Sequence, residues 1–143
     1  MKKILIVDDS RSIRQSFIDI LSPLAACEEA VNGQAAVDRV KQRLNEGGRF
    51  DLIFMDIIMP EKDGLAAVKE IRDFEISLGR TGAGRLKIII ATTLQDPSRI
   101  LIAQYDCGAD GYITKPFTKE TVMQTLRNNG FAFGIRRLQT VNQ

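Results

Sequence analysis

A doubly wound α/β sandwich is the fold class the sequence predicts, and three observations carry that expectation. Short aliphatic runs alternate with segments of helical periodicity along most of the chain. Two of the runs, Ile4–Val7 and Leu52–Met55, are almost continuously apolar, as expected of parallel strands covered on both faces. Both runs also stop abruptly on carboxylates, Asp8-Asp9 and Asp56. The C-terminal edge of an open parallel sheet is where such folds gather their chemistry.

The first strand, Ile4 to Val7, leads to Ser10, a helix cap, and to an apolar stripe at Ile13, Phe17, Ile20, Leu21 and Leu24 that stops near Pro23. A weaker strand lies around Ala26 to Val31 and closes on Asn32-Gly33, a turn signal. Ala36, Val37, Val40 and Leu44 mark the second helix, ended by Gly47-Gly48. After the strand that ends at Asp56, residues Leu65, Val68, Ile71, Phe74 and Leu78 define a third helix behind Asp63-Gly64. The glycine-rich segment from Gly79 to Arg85 reads as a flexible connection. It precedes a strand, whereas a phosphate-binding loop follows one.

Ile88 to Ala91 form the fourth strand, ending in Thr92-Thr93, and Asp96-Pro97 opens a fourth helix that reaches Gly108. Gly111 to Thr114 are the fifth strand, ending at Lys115-Pro116. Thr118 caps the fifth helix, whose buried side holds Val122, within reach of Phe117, and Leu126. Strands joined by helical crossovers run parallel, with right-handed crossovers placing helices on both faces. Strand order does not follow from periodicity.

Composition narrows the function. The chain has 143 residues, 44% of them apolar and 27% charged, which suits one globular domain. A formal charge of +2 gives no electrostatic case for nucleic acid. No apolar run approaches a membrane span, and the N-terminal apolar run is too short for a secretory signal, so a cytoplasmic protein is expected. Cys27 and Cys107 have no metal-ligand spacing and make no disulfide framework. The absence of histidine excludes imidazole-based zinc sites and Ser-His-Asp triads.

In a parallel sheet, Asp8, Asp9, Asp56, Thr92 and Lys115 all emerge at one edge. Three clustered carboxylates repel one another and call for a cation. Hard oxygen donors without imidazole or thiolate favour Mg²⁺. A divalent cation, an ammonium and a hydroxyl around one carboxylate suit a phosphoryl group, whose transfer depends on positioning and charge neutralisation.

The paired acids Asp8-Asp9, the segment from Asp56 through Met59-Pro60 to Asp63-Gly64, Thr92, and the run from Gly108 to Phe117 together resemble a response-regulator receiver domain of the chemotaxis-regulator kind, over about residues 3 to 129. The resemblance implies a flavodoxin-like sheet of order 2-1-3-4-5, with a receiver unit at 1–129 and a tail or start of a linker at 130–143. It implies Asp56 as phosphoacceptor from a histidine kinase or phosphotransfer protein. Mg²⁺ would be held by Asp9 directly, by Asp8 mainly through water, by Asp56, and by the backbone carbonyl of Ile58.

Lys115, beside a cis peptide to Pro116, would pair with a phosphoryl oxygen. The Thr92 hydroxyl would move to the same group while Tyr112 turns inward, reshaping the face of the fourth helix, fifth strand and fifth helix. That face would meet a downstream target, or pair two copies, unless an output domain lies outside the chain. Arg11 and Arg14 read as solvated helix charges. The chain departs from the family pattern at Thr93 and Ile58. Ile58 is expected to hinder attacking water, so a smaller polar residue there should shorten the aspartyl-phosphate lifetime in a decay assay.

Two other classes remain at this stage. A receiver-like interaction module would take no phosphoryl group. A hydrolase with an aspartyl nucleophile would turn over an added phosphate ester, but its Asp-x-Asp pattern after the first strand is missing here. The chain is therefore read as a signalling domain and not as an enzyme.

Overall fold

In the computed structural model, which describes residues 2–57, 59, 63–93 and 106–131, five strands form one parallel sheet. They are β1 (Lys3–Val7), β2 (Ala26–Ala30), β3 (Leu52–Asp56), β4 (Lys87–Thr92) and β5 (Gly111–Thr114), in the order β2-β1-β3-β4-β5. Helices α1 (Arg11–Leu21), α2 (Gly33–Asn45) and α3 (Gly64–Ser77) follow the first three strands, and a C-terminal helix spans Lys119–Asn128. The expected fourth helix, from Asp96, lies outside the described residues apart from its end near Gly108.

Alternation along the strands sorts the core into two layers. Leu5, Val7, Ile53, Met55, Ile88 and Ile90 pack with Val37, Val40, Val68 and Ile71 of α2 and α3. Ile4, Ile6, Leu52, Phe54, Ile89 and Ile113 pack with Phe17 and Leu21 of α1 and with Val122 and Leu126 of the C-terminal helix. Both faces of the sheet are therefore dry, which explains why β3 is apolar without polar interruption until Asp56. The Phe17 ring stacks on Phe54 and on Phe117, with centroids 4.6 and 4.1 Å apart. Phe117 thus belongs to the same apolar cluster as Val122 and also ties the start of the C-terminal helix to α1.

Helix ends depart from the sequence reading in two places. Asn32-Gly33 is no free-standing turn: the Asn32 side chain accepts a hydrogen bond from the Ala35 N–H at 2.8 Å and caps α2, which Gly33 begins. The segment after α3 is also more ordered than a flexible connection. Gly79 closes the helix, with Arg80 N–H donating to the Glu75 carbonyl at 2.9 Å, and Gly82–Gly84 forms a 3₁₀ turn.

The C-terminal helix ends in the same way. Gly130 has φ +89°, its N–H donates to Arg127 O, and Phe131 N–H donates to Leu126 O. This is a Schellman stop that needs a residue free of a Cβ penalty in the left-handed region. Among the described residues no helix is long and apolar enough to cross a membrane.

Candidate functional site: an acidic cluster at the sheet edge

The order β2-β1-β3 sets the ends of β1 and β3 side by side, where the crossovers from neighbouring strands diverge and leave a crevice. Asp8 lies just past β1 and Asp56 closes β3. One carboxylate oxygen each from Asp8, Asp9 and Asp56 fall within 4.8 Å of one another. Asp8 and Asp56 are buried, whereas Asp9 is exposed.

Lys115, one residue past β5, reaches across the end of β4. Its Nζ donates to Asp8 Oδ2 at 2.6 Å and lies 3.4 Å from Asp56 Oδ1. The Lys115–Pro116 peptide is cis. Register brings Thr92 opposite Thr114, and the Lys115 N–H donates to the Thr92 carbonyl at 2.8 Å, so the fourth and fifth strands deliver their end residues together. Thr92 is buried, Thr93 exposed, and Tyr112 on β5 is 47% exposed. Ile58 lies outside the described residues.

Three carboxylates against one ammonium leave a formal surplus of two negative charges. Pairwise repulsion at such separations is on the order of 3 kcal/mol at an effective dielectric of ~20. A divalent cation matches both that surplus and the all-oxygen donor set. The donors are unequal. Asp8 Oδ1 accepts the Ser10 N–H at 2.9 Å while its Oδ2 accepts from Lys115. Among the described residues Asp9 has no hydrogen-bonding or ion-pair partner, and it is exposed, so it is the more available oxygen donor. The thiols offer no competing chemistry: burial pushes Cys27 up, with Glu29 adding to it, and burial with Asp106 does the same to Cys107.

Two features were not legible at the sequence level. Arg14 is not a solvated charge. Its guanidinium donates from NH1 to the Asp8 backbone carbonyl at 2.8 Å and from Nε to Glu29 at 2.9 Å, fixing the turn that carries the paired acids. Its position four residues after Ser10, on the first turn of α1, is the only sequence signal for this role. Gly64 is the second. Its N–H donates to the Ile57 carbonyl at 2.8 Å, and a Cβ built on it would stand 2.0 Å from the Asp56 carbonyl oxygen. Helix α3 therefore starts against the backbone of the β3 terminus. The Asp63-Gly64 pair was visible, but not the reason for the glycine.

Comparison with known proteins places this arrangement. The family described as "Response regulator receiver domain" matches residues 4–127. The chemotaxis protein CheY of Halobacterium salinarum is 38% identical over 126 residues, covering 87% of this chain and 93% of that protein. CheY of Bacillus subtilis is 33% identical with the same coverage. Among solved structures, the Vibrio cholerae chemotaxis protein CheY4 superposes with a TM-score of 0.73 at 31% identity, over 90% of this chain and 98% of that one.

Proposed function

The chain belongs to the response regulator receiver family, and from that premise we propose that Asp56 accepts a phosphoryl group from a partner histidine kinase or phosphotransfer protein, with Mg²⁺ held beside it. In the transfer, an Asp56 carboxylate oxygen forms the new P–O bond while the P–N bond to the donor imidazole breaks, and the imidazole leaves. Mg²⁺, when bound, supplies positive charge to the phosphoryl oxygens. The observation that carries this reading is the convergence of Asp8, Asp9, Asp56 and Lys115 at one edge, with a charge surplus that a divalent cation would balance.

Asp9 is the direct metal ligand and Asp8 an indirect one. The two hydrogen bonds already accepted by Asp8, and the lack of any on Asp9 among the described residues, support that division. Asp56 and the Ile58 carbonyl complete the protein ligands. Lys115 pairs with a phosphoryl oxygen, and the Thr92 hydroxyl donates to another. Tyr112 follows Thr92 inward, a change for which its present exposure leaves room.

Residues 1–129 act as the receiver unit and 130–143 as a tail or linker, a division supported by the helix stop at Gly130. The domain works in the cytoplasm by contact with a target protein or an output domain. The face of the fourth helix, β5 and the C-terminal helix makes that contact and is the surface through which two copies would pair. The reading assigns neither nucleic acid nor membrane binding to these residues.

Intact-protein mass after incubation with acetyl phosphate and Mg²⁺ tests the reading. One phosphoryl adduct is expected, dependent on the metal and lost in Asp56→Ala. No adduct under rapid mixing, with Mg²⁺ binding verified separately, would leave an interaction module. Steady turnover of an added phosphate ester would point to a hydrolase.

A further inference from the structure

At the opposite edge of the sheet, the N-terminal ends of β1, β3 and β4 surround an open hollow of about 170 Å³. Lys2, Arg49 and Lys87 line it with a single acid, Asp51. Asp51 cannot balance them. Its Oδ2 accepts the Lys3 N–H at 2.8 Å, while its Oδ1 stands 3.9 Å from Lys2 Nζ and 3.6 Å from Arg49, beyond hydrogen-bond reach. Lys87 has no acidic partner among the described residues. Arg85, also on the rim, adds no free charge, because it pairs with Asp110 inside a network that Arg72 and Glu75 complete.

Three cations against one carboxylate leave a surplus of two positive charges. Phe50 and Leu86 lie beneath the hollow almost wholly covered, and the half-buried Phe131 ring is the apolar surface that closes one side. The volume equals that of roughly six liquid water molecules, enough for a ring with a headgroup but not for a length of polypeptide.

We propose that this hollow is a binding site for a small organic dianion with an apolar body, such as an aryl phosphate or an aromatic dicarboxylate. Its headgroup sits among Lys2, Arg49 and Lys87, and its body rests against the ring of Phe131. The site lies at the far end of the strands from Asp56 and does not depend on phosphorylation.

Titration of the ¹⁵N-labelled chain with phenyl phosphate at low salt and without Mg²⁺ tests it. Saturable shifts are expected at the amides of Lys2, Arg49, Asp51, Lys87 and Phe131. Affinity should fall about tenfold in Arg49→Gln/Lys87→Gln, and it should weaken with added salt. Inorganic phosphate, lacking the apolar body, should bind more weakly than phenyl phosphate. Three results would overturn the proposal: shifts that do not saturate, shifts centred on Asp8, Asp9 and Lys115, or unchanged affinity in the double variant. Tighter binding of a phosphotyrosine peptide than of phenyl phosphate would overturn it in favour of a group displayed on a protein.

Discussion

Gly64→Ala is expected to lower the thermal midpoint by about 10 °C, corresponding to a loss of roughly 3 kcal/mol in a domain of this size. The added methyl would sit 2.0 Å from the Asp56 carbonyl oxygen and 2.9 Å from the Ile57 Cα, both backbone atoms. A flexible side chain could swing aside, but here either the end of β3 or the first turn of α3 must move. The Gly64 N–H to Ile57 carbonyl hydrogen bond would be strained in the process. Because the clash is with the backbone of Asp56, phosphorylation by acetyl phosphate should fall as well wherever β3 is the side that moves, at temperatures where the variant is still folded. A variant with wild-type urea and thermal midpoints would show that the close approach is not a real constraint.

Arg72→Met is expected to cost a similar amount, about 3 to 5 kcal/mol, because it breaks a buried ion pair and leaves its carboxylate partner without its counter-charge. The guanidinium bonds Glu75 at 2.7 Å, Asp110 at 2.8 Å, and the carbonyls of Leu86 and Gly108 at 2.7 and 2.9 Å. The acids also hold the backbone: Glu75 accepts the Leu86 N–H, and Asp110 accepts the Ile88 N–H. One side chain on α3 thus organises the entry to both β4 and β5. Glu75→Gln placed on Arg72→Met should recover part of the loss, since the unpaired buried charge is then removed. A double-mutant cycle by urea unfolding measures that coupling, and strict additivity of the two changes would show that the pair does not act as a unit.

These two residues show what the sequence could and could not disclose. Strands ending in Asp8, Asp9 and Asp56 and helical periodicity between them are local patterns, so the sandwich and its acidic edge were readable, whereas continuously apolar strands did not show which residue faces which layer. Strand order came only with the family resemblance, because a parallel strand carries no local mark of its neighbour. Arg72, Glu75 and Asp110 carry no local mark of their partnership. Their partnership spans 38 positions between Arg72 and Asp110 and exists only once α3 lies over the β4–β5 edge. Arg14 was misread for a related reason: periodicity set it on a helix surface, but the Asp8 carbonyl it meets belongs to the preceding turn. Asn32 failed differently, as the same residue types begin turns and cap helices.

The contact between Lys115 and Asp8 joins residues 107 positions apart. Closing so long a loop is entropically costly and is satisfied only when β5 docks beside β4, so contacts of this range form slowly compared with local helices. A chain emerging from the ribosome could pair β1, β2 and β3 and bring its three carboxylates together while Lys115 was still unsynthesised. The cluster would then lack the one cationic side chain that pairs with it among the described residues. The charge-balanced cluster therefore coincides with completion of the sheet, and on the proposed function an unfinished chain would not take up a phosphoryl group early.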